Sequence, residues 1–475
     1  MAENAAASAP AVTDNADRVS WGTVVSFGMP GLGAGYMYLM LALYVMKFAT
    51  DVLLIAPAIM GLIFSVSRIW DAISDPIVGY LSDRTRLAYG RRRSWILGST
   101  LPIGAAFIMV FAPPDGLEGA GLAIWMAVAV IGFYSAMTVF FVPHLSLGAE
   151  LSSSYHERSR LFGVRHGFYT FGSILSLISF YLLISAEQEG REVVRAAAEE
   201  LAFLASAGMV VLILLAVGRL KERPDYQGRV NANPFHAFRD VWRNPHARLL
   251  IVVTFIEQVG SAAIAALTLY VAQYVIGAPL WAPVMILCYM LPSSLSVPLW
   301  IPLSRRFGKV RLWMFSMLLT GVSFGSMFAL LAIDGVTAKV IYICFAAFFA
   351  GLAAGCGGTL SPSIQGDVID YDEMVTGERK EGSYFAAWNF VYKGATGVML
   401  LLTGFVLQFA GFVPNQEQTI TVQVAMMTLY GLFPLVCYAI GAFLFRRFKL
   451  DEAEHAKIRA VLDERAADRG VAAEG

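Results

Sequence analysis

The chain has 475 residues, 57% hydrophobic and 15% charged, with a mean hydropathy of +0.63. Soluble globular chains carry roughly a quarter of charged residues, so this composition excludes a soluble domain and implies a protein embedded in a lipid bilayer. The 35 Lys+Arg balance the 35 Asp+Glu, so net charge points to no partner, and no nucleic acid is expected among them.

The first 18 residues are polar and Ala-rich, without the basic start or apolar core of a signal peptide. Residues 1–20 are expected to form a disordered cytoplasmic N-terminus. Twelve apolar stretches follow, at 22–49, 57–81, 94–112, 119–149, 160–185, 200–219, 247–275, 281–303, 311–333, 338–366, 383–410 and 421–446. Each is near the ~20 residues that cross a bilayer, and the longer ones imply tilt or extension. They are too continuous for alternating barrel strands. The expected fold class is an all-α polytopic membrane protein with twelve transmembrane helices.

Lys and Arg collect in alternate connections. Arg84, Arg86 and Arg91–Arg93 follow the second stretch; Arg305, Arg306, Lys309 and Arg311 follow the eighth; Arg446, Arg447 and Lys449 follow the last. By the positive-inside rule both termini are expected in the cytoplasm. The longest polar connection splits the chain. This predicts an N-terminal six-helix bundle at 21–220, a cytoplasmic linker at 221–246, a C-terminal bundle at 247–447 and a cytoplasmic tail at 448–475. A basic turn after the second helix of each half, Asp83-Arg84 with Gly90–Arg93 and Arg305-Arg306 with Gly308-Lys309, is a weak internal echo. In transporters built from repeats, substrate binds near the midplane between them.

The second stretch holds Asp71 and Asp75, four residues apart. In a helix that spacing puts both carboxylates on one face. Ionised groups inside a membrane are rare and usually line a pathway. Two on one stripe point to a cation site, with pairing to Arg68 as the structural alternative. Close carboxylates repel, which favours protonation as well as cation binding, so Na⁺ and H⁺ both remain open.

The segment Arg68-Ile-Trp-Asp71-Ala-Ile-Ser74-Asp75-Pro76-Ile-Val-Gly79 resembles the second-helix signature of the glycoside-pentoside-hexuronide:cation symporters, a branch of the major facilitator superfamily. Val142-Pro143, Glu157-Arg158, Asp367-Val-Ile-Asp370-Tyr371 and Lys393-Gly394 resemble that family in order and spacing. The resemblance runs from about residue 20 to 450. It implies the major facilitator fold of two pseudo-symmetric bundles and transport by alternating access. The function it implies is cation-coupled symport of a small organic solute, most simply a glycoside, hexuronide or related sugar derivative. It also implies a coupling cation, Na⁺ or H⁺, held by Asp71 and Asp75 with oxygens from Ser74 and Thr138. Hard oxygen ligands suit Na⁺, by the reasoning used for other hard cations. Lys393 is implied beside the cation site, where it could neutralise the empty acid pair. Arg165 approximately matches an arginine near the cavity.

The solute side departs from the family pattern. Sugar-transporting relatives carry acids on helices one and four, and Met29 and Phe141 stand at the matching positions. Neither accepts a hydrogen bond from a sugar hydroxyl. The remaining polar candidates for the cavity are Tyr36, Tyr38, His144, Glu257, Gln258, Trp388 and Asn389, or an anion held through Arg165 and Lys393. The apolar replacements also resemble the sodium-dependent lysophospholipid symporters, which gives an amphipathic lipid as the alternative solute.

Asp83, Arg84, Arg91 and Arg92 resemble the superfamily's cytoplasmic gating loop, whose charge pairs would stabilise one conformational state. Residues 367–380 read as a solvated connection, and the tail from Asp451 as a short helix. Cys288, Cys344, Cys356 and Cys437 fit neither a metal site nor a disulfide framework. No nucleophile–base or metal constellation is present, so an enzyme is not expected, no cofactor is implied, and a channel is a weaker alternative. The expected setting is a monomer in the inner membrane, with a small solute, a coupling cation and the lipid bilayer as its only partners.

Overall fold

The computed structural model describes residues 19–152, 155–222, 241–377 and 381–473. Among the described residues there is no β-strand. In chain order the spans are α1 (Trp21–Val52), α2 (Pro57–Arg84), α3 (Arg91–Phe111), α4 (Gly119–Glu150), α5 (Tyr155–Glu189), α6 (Arg191–Arg219) and α7 (Pro245–Ile276). There follow α8 (Pro279–Leu295 with Val297–Phe307), α9 (Lys309–Leu331), α10 (Val336–Thr376), α11 (Glu381–Phe409) and α12 (Ile420–Phe445). A tail helix, α13 (Glu452–Ala473), closes the chain.

Ten of these helices are long and apolar enough to cross a membrane, and α8, bent by 51° at Ser296, makes an eleventh. Of α1–α12 that leaves α2, which contains Arg68, Asp71 and Asp75. Its charges set it apart from the apolar helices, as expected of a helix that carries a site.

The packing repeats with a period of six helices. The pairs α1–α5, α2–α4, α3–α4 and α3–α6 recur as α7–α11, α8–α10, α9–α10 and α9–α12. Between the halves, α2 packs along α11, while α1 meets α7 and α5 meets α8. The α2–α11 seam is close because a Cβ on Gly404 would lie 2.4 Å from the Pro57 carbonyl oxygen. Small residues let membrane helices approach in this way. The first helices of the halves share a further feature: α1 carries π-helical turns at Met40–Tyr44 and Phe48–Val52, and α7 ends in one at Val271–Ile276. Such turns often mark functional segments.

Helix ends are satisfied by long-range contacts. The Glu222 carboxylate accepts the backbone N–H groups of Arg91, Arg92 and Arg93, each at 2.8 Å. These are orphan donors at the start of α3. Asn244 caps α7 by accepting from His246 N and Ala247 N, while its amide donates to Tyr384 Oη on α11.

Two expectations change. Residues 367–376 are not a loop but the last turns of α10. Their acids are held by neighbours, since Lys309 donates to Asp367 and His455 of α13 lies 3.0 Å from Asp370. Residues 191–199 belong to α6 rather than to a connection. There Arg191 donates to the Val52 carbonyl and Arg195 to Asp115. The expected N-terminal arm and the linker at 221–246 lie largely outside the described residues.

Candidate cation and solute site

Asp71 and Asp75 share a face of α2, as their spacing dictates. Pro76 follows directly and supplies no N–H, so the helix loses one backbone bond beside the pair. Thr138 of α4 brings its Oγ1 within 2.6 Å of Asp71 Oδ1 and 2.9 Å of Asp75 Oδ1. A hydroxyl has one proton to donate. Three oxygens therefore converge with a single proton among them, an arrangement that favours a cation or a second proton.

The other two carboxylate oxygens face α11. Lys393 Nζ lies 2.8 Å from Asp71 Oδ2 and 2.5 Å from Asp75 Oδ2. The contact to Asp75 is aligned as a hydrogen bond, whereas Asp71 Oδ2 is buried without an aligned donor. Asp71 is 1% exposed, so it depends on these partners for its charge to be tolerated. Lys393 belongs to the C-terminal half and the acids to the N-terminal half. The ion pair is thus a tie between bundles. Ser74, the fourth expected ligand, instead donates to the Asp71 carbonyl of its own helix at 3.2 Å.

Beside this cluster, a cavity of about 470 Å³ lies between the halves. Its polar wall includes Tyr38, Arg68, Asp71, Tyr169, Gln258 and Lys393, and its apolar wall includes Leu39, Met46, Phe64, Ala266, Met290 and Leu400. Arg68 donates to Tyr134 Oη at 2.7 Å and lies over the Tyr134 ring, with its Cζ 4.1 Å from the centroid. No oxygen of the acid pair lies within 4.0 Å of its nitrogens, whereas both acids meet Lys393.

Other expected cavity residues lie elsewhere. Tyr36 is bonded to Ser179 Oγ at 2.8 Å, within the N-terminal half. Glu257 faces α12 at Gly441. Trp388 is buried against Tyr384 and Phe385, and Asn389 is not on the wall. His144 is stacked between Phe27 and Phe140, with Nε2 3.0 Å from the Phe27 carbonyl oxygen. Arg165 lies over Phe141, which in turn packs on Tyr38. Met29 is buried at a joint within α1.

The expected gating residues stay within one half. Arg92 is paired with Asp83 and, at 3.2 Å, with Glu150; Arg91 meets Glu150 at 2.7 Å. Arg84 instead lies over the Tyr80 ring. These contacts tie α2, α3 and α4 together at the end where α1 begins and α12 ends.

A second ionic cluster sits at the opposite end. Lys47 is fully buried and paired with Glu187, with Asp51 at 3.7 Å. From there the bonds cross to the other half. Tyr274 Oη donates to Asp51 Oδ2 at 2.5 Å, Asn415 Nδ2 donates to the Asp51 carbonyl, and Thr50 and Tyr270 hydroxyls meet at 2.7 Å. Among the described residues, these bonds and the Ala58–Gln408 contact join the halves at that end.

Comparison with known proteins gives a consistent picture. A family model described as "MFS/sugar transport protein" matches residues 26–452. The inner membrane symporter YicJ of Escherichia coli (strain K12) is 25% identical over 435 residues, covering 89% of this chain and 90% of that one. The isoprimeverose transporter of Lactiplantibacillus pentosus is 25% identical, covering 99% and 97%. A solved D-xylose-proton symporter superposes with a TM-score of 0.65 at 13% identity, covering 90% of this chain and 97% of that chain. That likeness speaks for the fold.

Proposed function

Because the chain belongs to the MFS/sugar transport protein family, we propose that it is a symporter in which Asp71, Asp75 and Thr138 hold the coupling cation. The observation that carries this reading is the convergence of both carboxylates on Thr138 and on Lys393. The all-oxygen set favours Na⁺, with H⁺ as the alternative. In the empty site Lys393 stands in for the cation. When a cation enters, Lys393 is displaced and the tie between α2 and α11 is released. The two halves then rearrange around the cavity, as alternating access requires. The latch at Asp51, Tyr274 and Asn415 must open for the solute to reach the cavity from the other side.

The solute in this reading is a glycoside or related sugar derivative. Tyr38, Gln258 and their neighbours supply hydrogen-bonding groups, and the apolar wall receives an aglycone. An amphipathic lipid draws on the same apolar wall and is the second reading. We place the protein in the inner membrane as a monomer, with both termini cytoplasmic and the latch facing outward. The test is uptake into proteoliposomes. A panel of labelled glycosides is offered with and without Na⁺ and at two pH values. Counterflow together with cation-driven accumulation is expected. A panel in which no solute shows cation dependence contradicts the reading.

A further inference from the structure

One buried carboxyl takes no part in the cation site. Glu257 lies about 18 Å along α7 from its start at Pro245, and is 9% exposed. A Cβ on Gly441 of α12 would lie 3.6 Å from Glu257 Cγ. The elements packed against α7 are α1, α8, α10, α11 and α12. Of these, α1 holds no charged residue before Lys47, α8 none before Arg305, α10 none between Lys339 and Asp367, and α12 none at all. α11 brings Lys393, whose ammonium lies on the acid pair. The other titratable groups on this side of α7 are neutral: Tyr438 and Cys437 on α12, with Tyr289 of α8 and Tyr392 of α11 behind Tyr438. Among the described residues, no hydrogen bond or ion pair reaches the Glu257 carboxyl.

Its surroundings give it a way to the cavity. Thr254, Glu257 and Ser261 share a face of α7 at helical spacing. Thr254 Oγ1 is buried without a hydrogen-bond partner. Ser261 lines the cavity, as does Gln258 beside Glu257. Tyr438 links the two ends of this stripe: its hydroxyl lies beside Ser261 and within the field of Glu257. An ionised carboxylate held out of water without a counter-ion is costly, and the group takes a proton instead.

We propose that Glu257 is a proton-binding site of the C-terminal half, separate from the Asp71/Asp75 site and in exchange with the cavity through Tyr438 and Ser261. In the packed arrangement the carboxyl is neutral. On release it gives its proton to the Tyr438 oxygen, Tyr438 gives its own hydroxyl proton to Ser261, and Ser261 gives one to water in the cavity. Both hydroxyls end as they began, and a carboxylate remains at Glu257. That carboxylate meets no counter-ion on α12, so release goes with a loosened α7–α12 contact that admits water. The proton is held at low pH and leaves as pH rises, whatever occupies the acid pair. This goes beyond the symport reading, which concerns the acid pair alone.

The test follows the C=O stretch of protonated carboxyls by infrared difference spectroscopy. The purified full chain is held in lipid without solute and at constant Na⁺, while pH is stepped from about 5 to about 10 and back. The wild type should show a band that fades as pH rises and returns as it falls. Isotopic labelling of the glutamate carboxyl carbons should shift that band, a readout that needs no variant. Glu257→Gln should lose it, Glu257→Asp should keep a titrating band, and Asp75→Asn should retain it. After a pH jump the band should fade about tenfold or more slower in Tyr438→Phe, which removes the relaying hydroxyl. A wild type without the band has Glu257 ionised throughout, and a band that ignores pH marks a permanently neutral packing group; either overturns the proposal. So does a band that survives Glu257→Gln. An unchanged rate in Tyr438→Phe overturns the path through Tyr438. These readouts need no transported solute, so an uptake panel without cation dependence would remove the symport reading and leave this one standing.

Discussion

Thr138→Val removes one oxygen from the acid pair and keeps the β-branched shape. In the native site that oxygen lies 2.6 Å from Asp71 and 2.9 Å from Asp75, and Thr138 is 2% exposed. A hydrogen bond to a charged group contributes about 1.5–3 kcal/mol. The same oxygen serves as a ligand lone pair when a cation is bound. Losing it should therefore cost about 1.5–3 kcal/mol of cation affinity, which is roughly 10- to 150-fold at 1.4 kcal/mol per decade. The assay is the concentration of Na⁺ that gives half-maximal solute uptake in proteoliposomes. It should rise by about that factor in Thr138→Val and return to within about threefold of wild type in Thr138→Ser, which restores the oxygen. A half-maximal concentration that does not move in Thr138→Val refutes the reasoning. So does a serine variant that behaves like valine, since the effect would then come from packing and not from the oxygen.

Three further outcomes are expected. Gly404→Val should force α2 and α11 apart, because its Cβ would lie 2.4 Å from the Pro57 carbonyl oxygen. A loss of about 1–3 kcal/mol is expected from overpacking and is read by thermal unfolding, against Gly358→Ala, which meets nothing within 4 Å. Tyr274→Phe removes the donor to Asp51. Maleimide labelling from outside, at a cysteine placed at Leu39 in a cysteine-free background, should speed up about five- to thirtyfold, the equivalent of about 1–2 kcal/mol of lost closure; an unchanged rate would remove the latch from the account. Glu150→Gln leaves Arg91 and part of Arg92 without their carboxylate. Unfolding should shift by up to about 3 kcal/mol, and a variant as stable as wild type would show that the cluster holds nothing.

Much of this was legible because a bilayer simplifies the code. Long apolar runs and alternating basic loops announce membrane helices. Asp71 and Asp75 stood out as acids at helical spacing in such a run. The resemblance supplies Thr138 and Lys393, and the fold brings both onto the pair. The rotation of the other helices was not legible. Glu257 and Trp388 look like cavity residues from their depth alone, but the faces of α7 and α11 that carry them turn to α12 and to an aromatic cluster. Tyr134 and Tyr169 escaped notice although each lies one helical turn from a named residue, Thr138 and Arg165. The latch had the clearest overlooked signal. Lys47 and Asp51 are four residues apart in α1, the same spacing as the acid pair, but Asp51 falls just beyond the apolar run. Its partners Tyr274 and Asn415 are distant in sequence, so only the fold unites them.

The most direct test of the central claim separates accumulation from exchange in Asp75→Asn. This variant keeps the side-chain shape and removes the charge that faces Lys393 and Thr138. Proteoliposomes loaded with unlabelled solute measure exchange. Empty ones under an inward cation gradient measure accumulation. Retained exchange with loss of cation-driven accumulation is the predicted result. Accumulation equal to that of the wild type would contradict the assignment of the coupling site to the acid pair.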